Sequence, residues 1–298
     1  MRSHPRFHPR LLFNVLVGLA LLTGQAHASD IPERESTPAM SEIAGTARFD
    51  LYQGYIIVVH GSIGPLKNLN FFLDTGTTPA VVDSRVASRL DLPREDSASI
   101  VVLAGRTPAQ QTNLPSLEIG PLKQSNLHVV TADLSFFQKV LPVRIDAIVG
   151  LGVLGHTAFV IDYSARVIRF GSTPALPVSI PLRLDRGLAV FDAEIDHAPV
   201  HLLFDTGAHA LILFATSESS EAKRGVAFGS KLTEDSEDKQ GSLRTLTLGA
   251  EEFRQKQALV ARNPKPSQLD FDGLMSPTAL GISRVSVDLK EGVLAFSR

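Results

Sequence analysis

The chain has no cysteine in 298 residues. That excludes a disulfide framework, thiolate zinc sites, iron–sulfur clusters, a cysteine nucleophile and a lipid-anchored cysteine. It has no excess of charge of either sign, with 29 Lys and Arg against 31 Asp and Glu. No basic stripe therefore points to nucleic acid. Its longest apolar stretch, Leu11 to Leu22, is interrupted by Asn14 and Gly18. It falls short of the roughly 20 residues that span a bilayer. No Gly-x-Ser-x-Gly elbow and no His-Glu-x-x-His helix occurs. What is present is 44 % hydrophobic residues, 20 % charged residues, 18 prolines and 22 glycines among clusters of Val, Ile and Thr. This is the composition of a folded protein with a real core, built mostly from strands and turns.

The first residues read as an export signal. Arg2, Arg6 and Arg10 precede the apolar stretch, and Ala26-His27-Ala28 supplies a small-x-small cleavage pattern. Residues 1–28 are thus expected to be a cleaved signal peptide, which places the mature protein in the periplasm or outside the cell with no stable membrane insertion. Cleavage removes three arginines and no acids, leaving 26 basic against 31 acidic residues. Residues 29–42, rich in Pro, Ser, Glu and Arg without apolar periodicity, read as a flexible leader.

The remainder repeats itself. Asn70-Phe71-Phe72-Leu73-Asp74-Thr75-Gly76 is echoed by His201-Leu202-Leu203-Phe204-Asp205-Thr206-Gly207. Gly54 and Gly187 open alternating stretches ahead of these two motifs. Leu117-Glu118-Ile119-Gly120 is matched downstream by Leu246-Thr247-Leu248-Gly249. Asp146 leads to Asp162, and Asp272 to Asp288, with the same gap of 16 residues. Four landmarks in one order, at similar spacing, mark a duplication. The copies meet at a Pro-rich joint, giving an N-terminal lobe at 43–171, a linker at 172–178 and a C-terminal lobe at 179–298. Short helices are expected only at Ser84–Leu90, capped by Asp83, and after Gly150 and Pro277.

Each Asp-Thr-Gly follows three apolar residues, the pattern of a buried strand that ends in a turn. A carboxylate placed there is costly unless it is hydrogen-bonded or put to use. Glycine permits a tight turn that brings N–H groups to the carboxylate, and the threonine hydroxyl can fasten the turn across a lobe interface. On Phe72-Leu73-Asp74-Thr75-Gly76-Thr77, Leu203-Phe204-Asp205-Thr206-Gly207-Ala208 and the apolar-apolar-Gly element Ile148-Val149-Gly150, the chain resembles bilobal aspartic proteases of the pepsin/retropepsin-like type. In particular it resembles the bacterial retropepsin-like aspartyl proteases, over essentially the whole chain from about Ala44.

The resemblance implies an all-β fold of two related β-barrel-like lobes with a cleft between them, and catalytic Asp74 and Asp205 facing each other. Thr75, Gly76, Thr77, Thr206, Gly207 and Ala208 would support the turns, and Ile148-Val149-Gly150 would thread past the first of them. It implies an exported endopeptidase, monomeric, needing no cofactor and no metal, that takes an extended polypeptide. A hairpin flap over Ile100 to Gln111, turning at Ala104-Gly105-Arg106, would close over that substrate. Two carboxyls about 3 Å apart share one proton, so a water between them can be activated without a covalent intermediate. The competing reading is a non-catalytic peptide-binding protein on the same scaffold.

Other motifs carry less. Gly150-Leu151-Gly152-Val153-Leu154-Gly155 has the letters of a dinucleotide fingerprint, but strand-like Phe159-Val160-Ile161 follows where a long helix is needed. His197 and His201 are separated by Pro199, which argues against a helical metal pair. His209 reads as a partly exposed side chain after the second turn, and Glu234 to Lys239 as a solvated loop.

The two turns differ in one residue: Thr77 follows the first glycine, and Ala208 follows the second. Losing a hydroxyl donor to the ionised form raises a carboxyl pKa. Activity is therefore expected to reach closer to neutral pH than in a site with hydroxyls on both sides. Ala208→Thr should shift the pH–rate profile toward acid, and an unchanged profile would contradict the argument.

Overall fold

The computed structural model describes residues 20–22, 43–93, 95–102, 105–171, 174–214, 227–228, 239–261 and 270–298. The rest of the expected signal peptide, the leader, Ala104 and most of the Glu234 to Lys239 stretch lie outside the described residues. So do the first two residues of the expected linker.

Almost every described element is a strand, and the duplication in sequence is a duplication in topology. In the first half, Ile56–Ile63 and Leu66–Leu73 form an antiparallel hairpin. Ala147–Val149 inserts parallel to the end of that hairpin, with Val149 beside Leu73. It also runs antiparallel to Val81–Asp83, which is parallel to Leu122–Ala132. In the second half, Leu188–Ile195 and Ala198–Phe204 form the hairpin. Gly273–Met275 inserts parallel, with Met275 beside Phe204, and pairs antiparallel with Leu211–Phe214, which is parallel to Glu251–Ala261.

The paired aspartates of the repeat explain why the inserted strand sits where it does. The Asp146 carboxylate accepts from Asn70 N–H at 2.9 Å, and the Asp272 carboxylate accepts from His201 N–H at 2.9 Å. Each thereby fixes the register of its insert against the hairpin.

The strands that lead to Asp74 and Asp205 are buried on both faces. Phe71 and Leu73 pack into one apolar cluster while Phe72 packs into another. Leu202 and Phe204 likewise face the larger cluster and Leu203 a separate one. That explains why both segments read as continuous apolar runs rather than alternating ones.

The halves are joined by a six-strand array. In order it contains Val178–Pro181, Val293–Ser297, Arg284–Asp288, Phe159–Asp162, Val167–Phe170 and Gly45–Tyr52. Its middle pairing, Ile161 with Val285, crosses from one half to the other. The short helices form at Ser84–Arg89, with Asp83 Oδ1 accepting from Arg85 N–H, at Leu151–Leu154 and at Pro277–Leu280. The Gly150 to Gly155 stretch is thus a single helical turn, with no long helix to build a nucleotide site. A 3-10 turn at Ser135–Lys139 gave no recognisable sequence signal. No helix among the described residues is long and apolar enough to cross a membrane.

The joint between the halves carries one buried charge cluster. Asp162, with a side chain 3 % exposed, accepts from Arg169 of the first half and lies 2.9 Å from Arg284 Nη2 of the second. It also accepts from Ala165 N–H at 2.8 Å. These donors hold its carboxyl below the usual range against the cost of burial. A folded pKa below the unfolded value contributes stability that is present above about pH 4 and is lost as acid carries the pH through the folded value. Both arginines are nearly half exposed, which discounts the few kcal/mol typical of a broken buried pair. Asp162→Asn should cost about 2 kcal/mol at pH 7 by denaturant titration. The deficit should shrink as both proteins are titrated well below pH 4.

Candidate active site

Asp74 and Asp205 sit at the ends of buried strands from opposite halves and are themselves 3 % and 0 % exposed. Their turns are fastened to each other. Thr75 Oγ1 donates to Phe204 O at 2.9 Å and accepts from Thr206 N–H at 2.9 Å. Thr206 Oγ1 donates to Leu73 O at 3.0 Å and accepts from Thr75 N–H at 3.1 Å. Each hydroxyl is both donor and acceptor, so all six polar groups of these four bonds are satisfied.

That lattice brings the carboxyls together. A methyl group on Gly76 would stand 2.8 Å from Cγ of Asp205, and one on Gly207 would stand 2.5 Å from Cγ of Asp74. Each glycine is required because the opposite carboxyl occupies the space where a side chain would begin. The two carboxyls are thus held close together across the junction. Two ionised carboxylates at such a distance repel each other, which favours a single proton on the pair. Asp205 Oδ2 is buried with no hydrogen-bond partner among the described residues.

The remaining oxygens are held by the turns. Asp74 Oδ1 accepts from Gly76 N–H at 3.0 Å. Asp205 Oδ1 accepts from Gly207 N–H at 2.7 Å and from Ala208 N–H at 3.1 Å. Thr77 Oγ1 lies against Asp74 and steadies its charge, although it stands outside hydrogen-bond geometry. Burial raises both pKa values, and the Asp74 charge raises Asp205 further, well above an ordinary carboxyl.

Behind the first turn, Asp74 N–H donates to Val149 O at 3.0 Å, and Gly150 packs so closely on the Asp74 and Thr77 carbonyls that no side chain fits there. Behind the second, Asp205 N–H donates to Met275 O at 3.0 Å. Ser276 takes the place of Gly150, buried and hydrogen-bonded to Thr278 Oγ1. The second insert therefore supports its turn without the glycine.

The expected flap region is a hairpin of Ser97–Val102 with Gly105–Ile119, in which Val102 pairs with Gly105 and Val101 with Arg106. Gly105 and Arg106 thus open the second strand, and residues 103 and 104 between the strands lie outside the described residues. His201 and Asp192 face each other across their hairpin at 2.8 Å, away from the dyad.

Tyr55 belongs to the site and had no local signal. It is buried, and its ring lies 5.8 Å from that of His209 in the other half. Burial and the Asp205 charge both raise its pKa, so it stays a neutral hydroxyl. His209 is only partly exposed, and burial lowers its pKa and favours the neutral ring.

Against known proteins, residues 59–155 match the family model for aspartyl proteases. The matched stretch runs from the strand before Asp74, through that turn and the hairpin, to the insert behind it. This part of the chain carries an aspartyl protease domain of the retropepsin-like type, and the all-β, two-lobed architecture agrees with it. No curated protein matches the chain.

A carboxyl whose folded pKa is raised stabilises the fold below its unfolded pKa of about 3.9 and loses that contribution as pH rises through the folded value. Asp205→Asn removes this ionisation while its amide can still donate to Asp74 and accept from the turn. The variant should melt about 3 °C higher than the parent at pH 7, as a gain of ~1 kcal/mol would produce. It should show no such gain at pH 3, and equal melting curves at pH 7 would refute the raised dyad.

Proposed function

We propose that the protein is an exported aspartic endopeptidase in which Asp74 and Asp205 activate one water. The observation that supports this most is the close approach of the two buried carboxyls across the lobe junction. In the singly protonated pair, the ionised carboxyl takes a proton from the bound water as its oxygen attacks the peptide carbonyl carbon. The protonated carboxyl gives its proton to the carbonyl oxygen, which forms a gem-diol. A proton then passes to the amide nitrogen, the C–N bond breaks, and an amine and a carboxylic acid leave. The dyad titrates as one unit, so acid and base are roles of the pair.

The same lattice of threonine bonds favours this chemistry because the carboxyls are aligned before substrate arrives. Tyr55 and His209 add a pair of neutral rings beside the dyad. The substrate is a polypeptide in extended form, and the export signal at residues 1–28 directs the enzyme to the periplasm or the medium.

The test is hydrolysis of an unstructured polypeptide by the purified protein. Asp74→Asn should lower kcat by about 10³-fold or more, the scale of general acid–base catalysis. A statine-type transition-state mimic should inhibit the parent. Peptide binding without turnover between pH 3 and pH 8 would instead identify a binding protein on a protease scaffold.

A further inference from the structure

The two turns that reach across the junction toward the dyad are unequal. In the first half Tyr52 pairs with Ile56, and Gln53, Gly54 and Tyr55 make the turn. In the second half Asp185 pairs with Leu188, and only Arg186 and Gly187 intervene. The hairpins that follow are in matching register. Val58 lies beside Phe72 and Val190 beside Leu203, each two residues before its aspartate. Ile56 therefore corresponds to Leu188, and the residue ahead of it is Tyr55 in one half and Gly187 in the other. Both meet the fourth residue after the opposing aspartate. Tyr55 faces His209, ring to ring at 5.8 Å. A methyl group on Gly187 would touch only Thr78 among the described residues, with its Cγ2 at 3.4 Å. Each contact lies one residue beyond a group that holds a carboxyl, Thr77 against Asp74 and Ala208 N–H on Asp205 Oδ1. One flank of the dyad is filled by two rings. The equivalent flank has a glycine and a threonine methyl.

We infer that this break in the twofold plan selects the substrate: an extended polypeptide with a large apolar side chain over Thr78 and Gly187 and a small one against Tyr55 and His209. The inference rests on the protease reading above. A peptide whose scissile bond lies over the dyad presents the residues before and after that bond to flanks related by the twofold. An aromatic side chain carries roughly 150–250 Å² of surface. The flank without a ring has room for a side chain of that size, and the flank with Tyr55 and His209 does not. Apolar surface covered by the Thr78 methyl gains about 25 cal/mol per Å². On the filled flank, each methylene too many costs about 10- to 200-fold in kcat/KM.

Pairs of fluorogenic peptides test this on the purified protein. The two members of a pair differ only in the exchange of Phe and Ala between positions equidistant from the cut bond. Pairs are made for the first, second and third positions, and the cut is located by mass. In at least one pair the parent should cut one isomer with kcat/KM tenfold or more above the other. Tyr55→Ala should bring that ratio toward one by raising cleavage of the poor isomer. Should Tyr55→Ala fail to fold, His209→Ala, at a partly exposed position, carries the same expectation. Thr78→Phe, also partly exposed, should bring the ratio toward one by lowering cleavage of the good isomer. A general loosening of the fold would not move the two isomers by these opposite routes. If parent and variants cut the isomers of every pair in the same ratio, the inference is refuted while the protease stands. If the parent cuts no peptide, the protease reading fails and the inference falls with it.

Discussion

Everything at the centre of this molecule depends on two threonine hydroxyls. Thr75 and Thr206 each reach across the junction to the backbone of the other half and are each reached in return. A neutral hydrogen bond is worth about 1 kcal/mol net, but a buried donor or acceptor left unpaired costs about 1–3 kcal/mol. The crossing is therefore all or nothing: separating the halves would break all four hydrogen bonds at once. That cooperativity forces two carboxyls into contact that would otherwise move apart as soon as both ionised. The glycines complete the constraint by leaving room for the opposing side chain.

The duplication gives the scaffold a twofold plan, and the chemistry departs from it at identifiable residues. Thr77 stands against Asp74 while Ala208 offers Asp205 only its N–H. Gly150 behind one turn becomes Ser276 behind the other, and Tyr55 ahead of Ile56 stands where the second half has Gly187 ahead of Leu188. A symmetric dyad would have no preferred site for its proton. Here burial acts on both carboxyls, but the hydroxyl neighbour favours charge on Asp74 and the Asp74 charge disfavours it on Asp205. The pair remains a single titrating unit, yet its surroundings are tilted toward one arrangement.

The two-lobed β architecture and the pairing of the aspartates were legible because duplication writes a long-range relation into the chain as a local one. Phe72-Leu73-Asp74-Thr75-Gly76 and its echo state, by their likeness, that two places 131 residues apart share one environment. Asp146 and Asp272 were visible as landmarks for the same reason, though their task of clamping the inserted strands needed coordinates. Ala104-Gly105-Arg106 looks like turn chemistry, but Gly105 and Arg106 already belong to the ladder, paired with Val102 and Val101. Tyr55 escaped notice because its partner is His209, far along the chain, and nothing near Gly54 marks a tyrosine as belonging to a dyad in the other half.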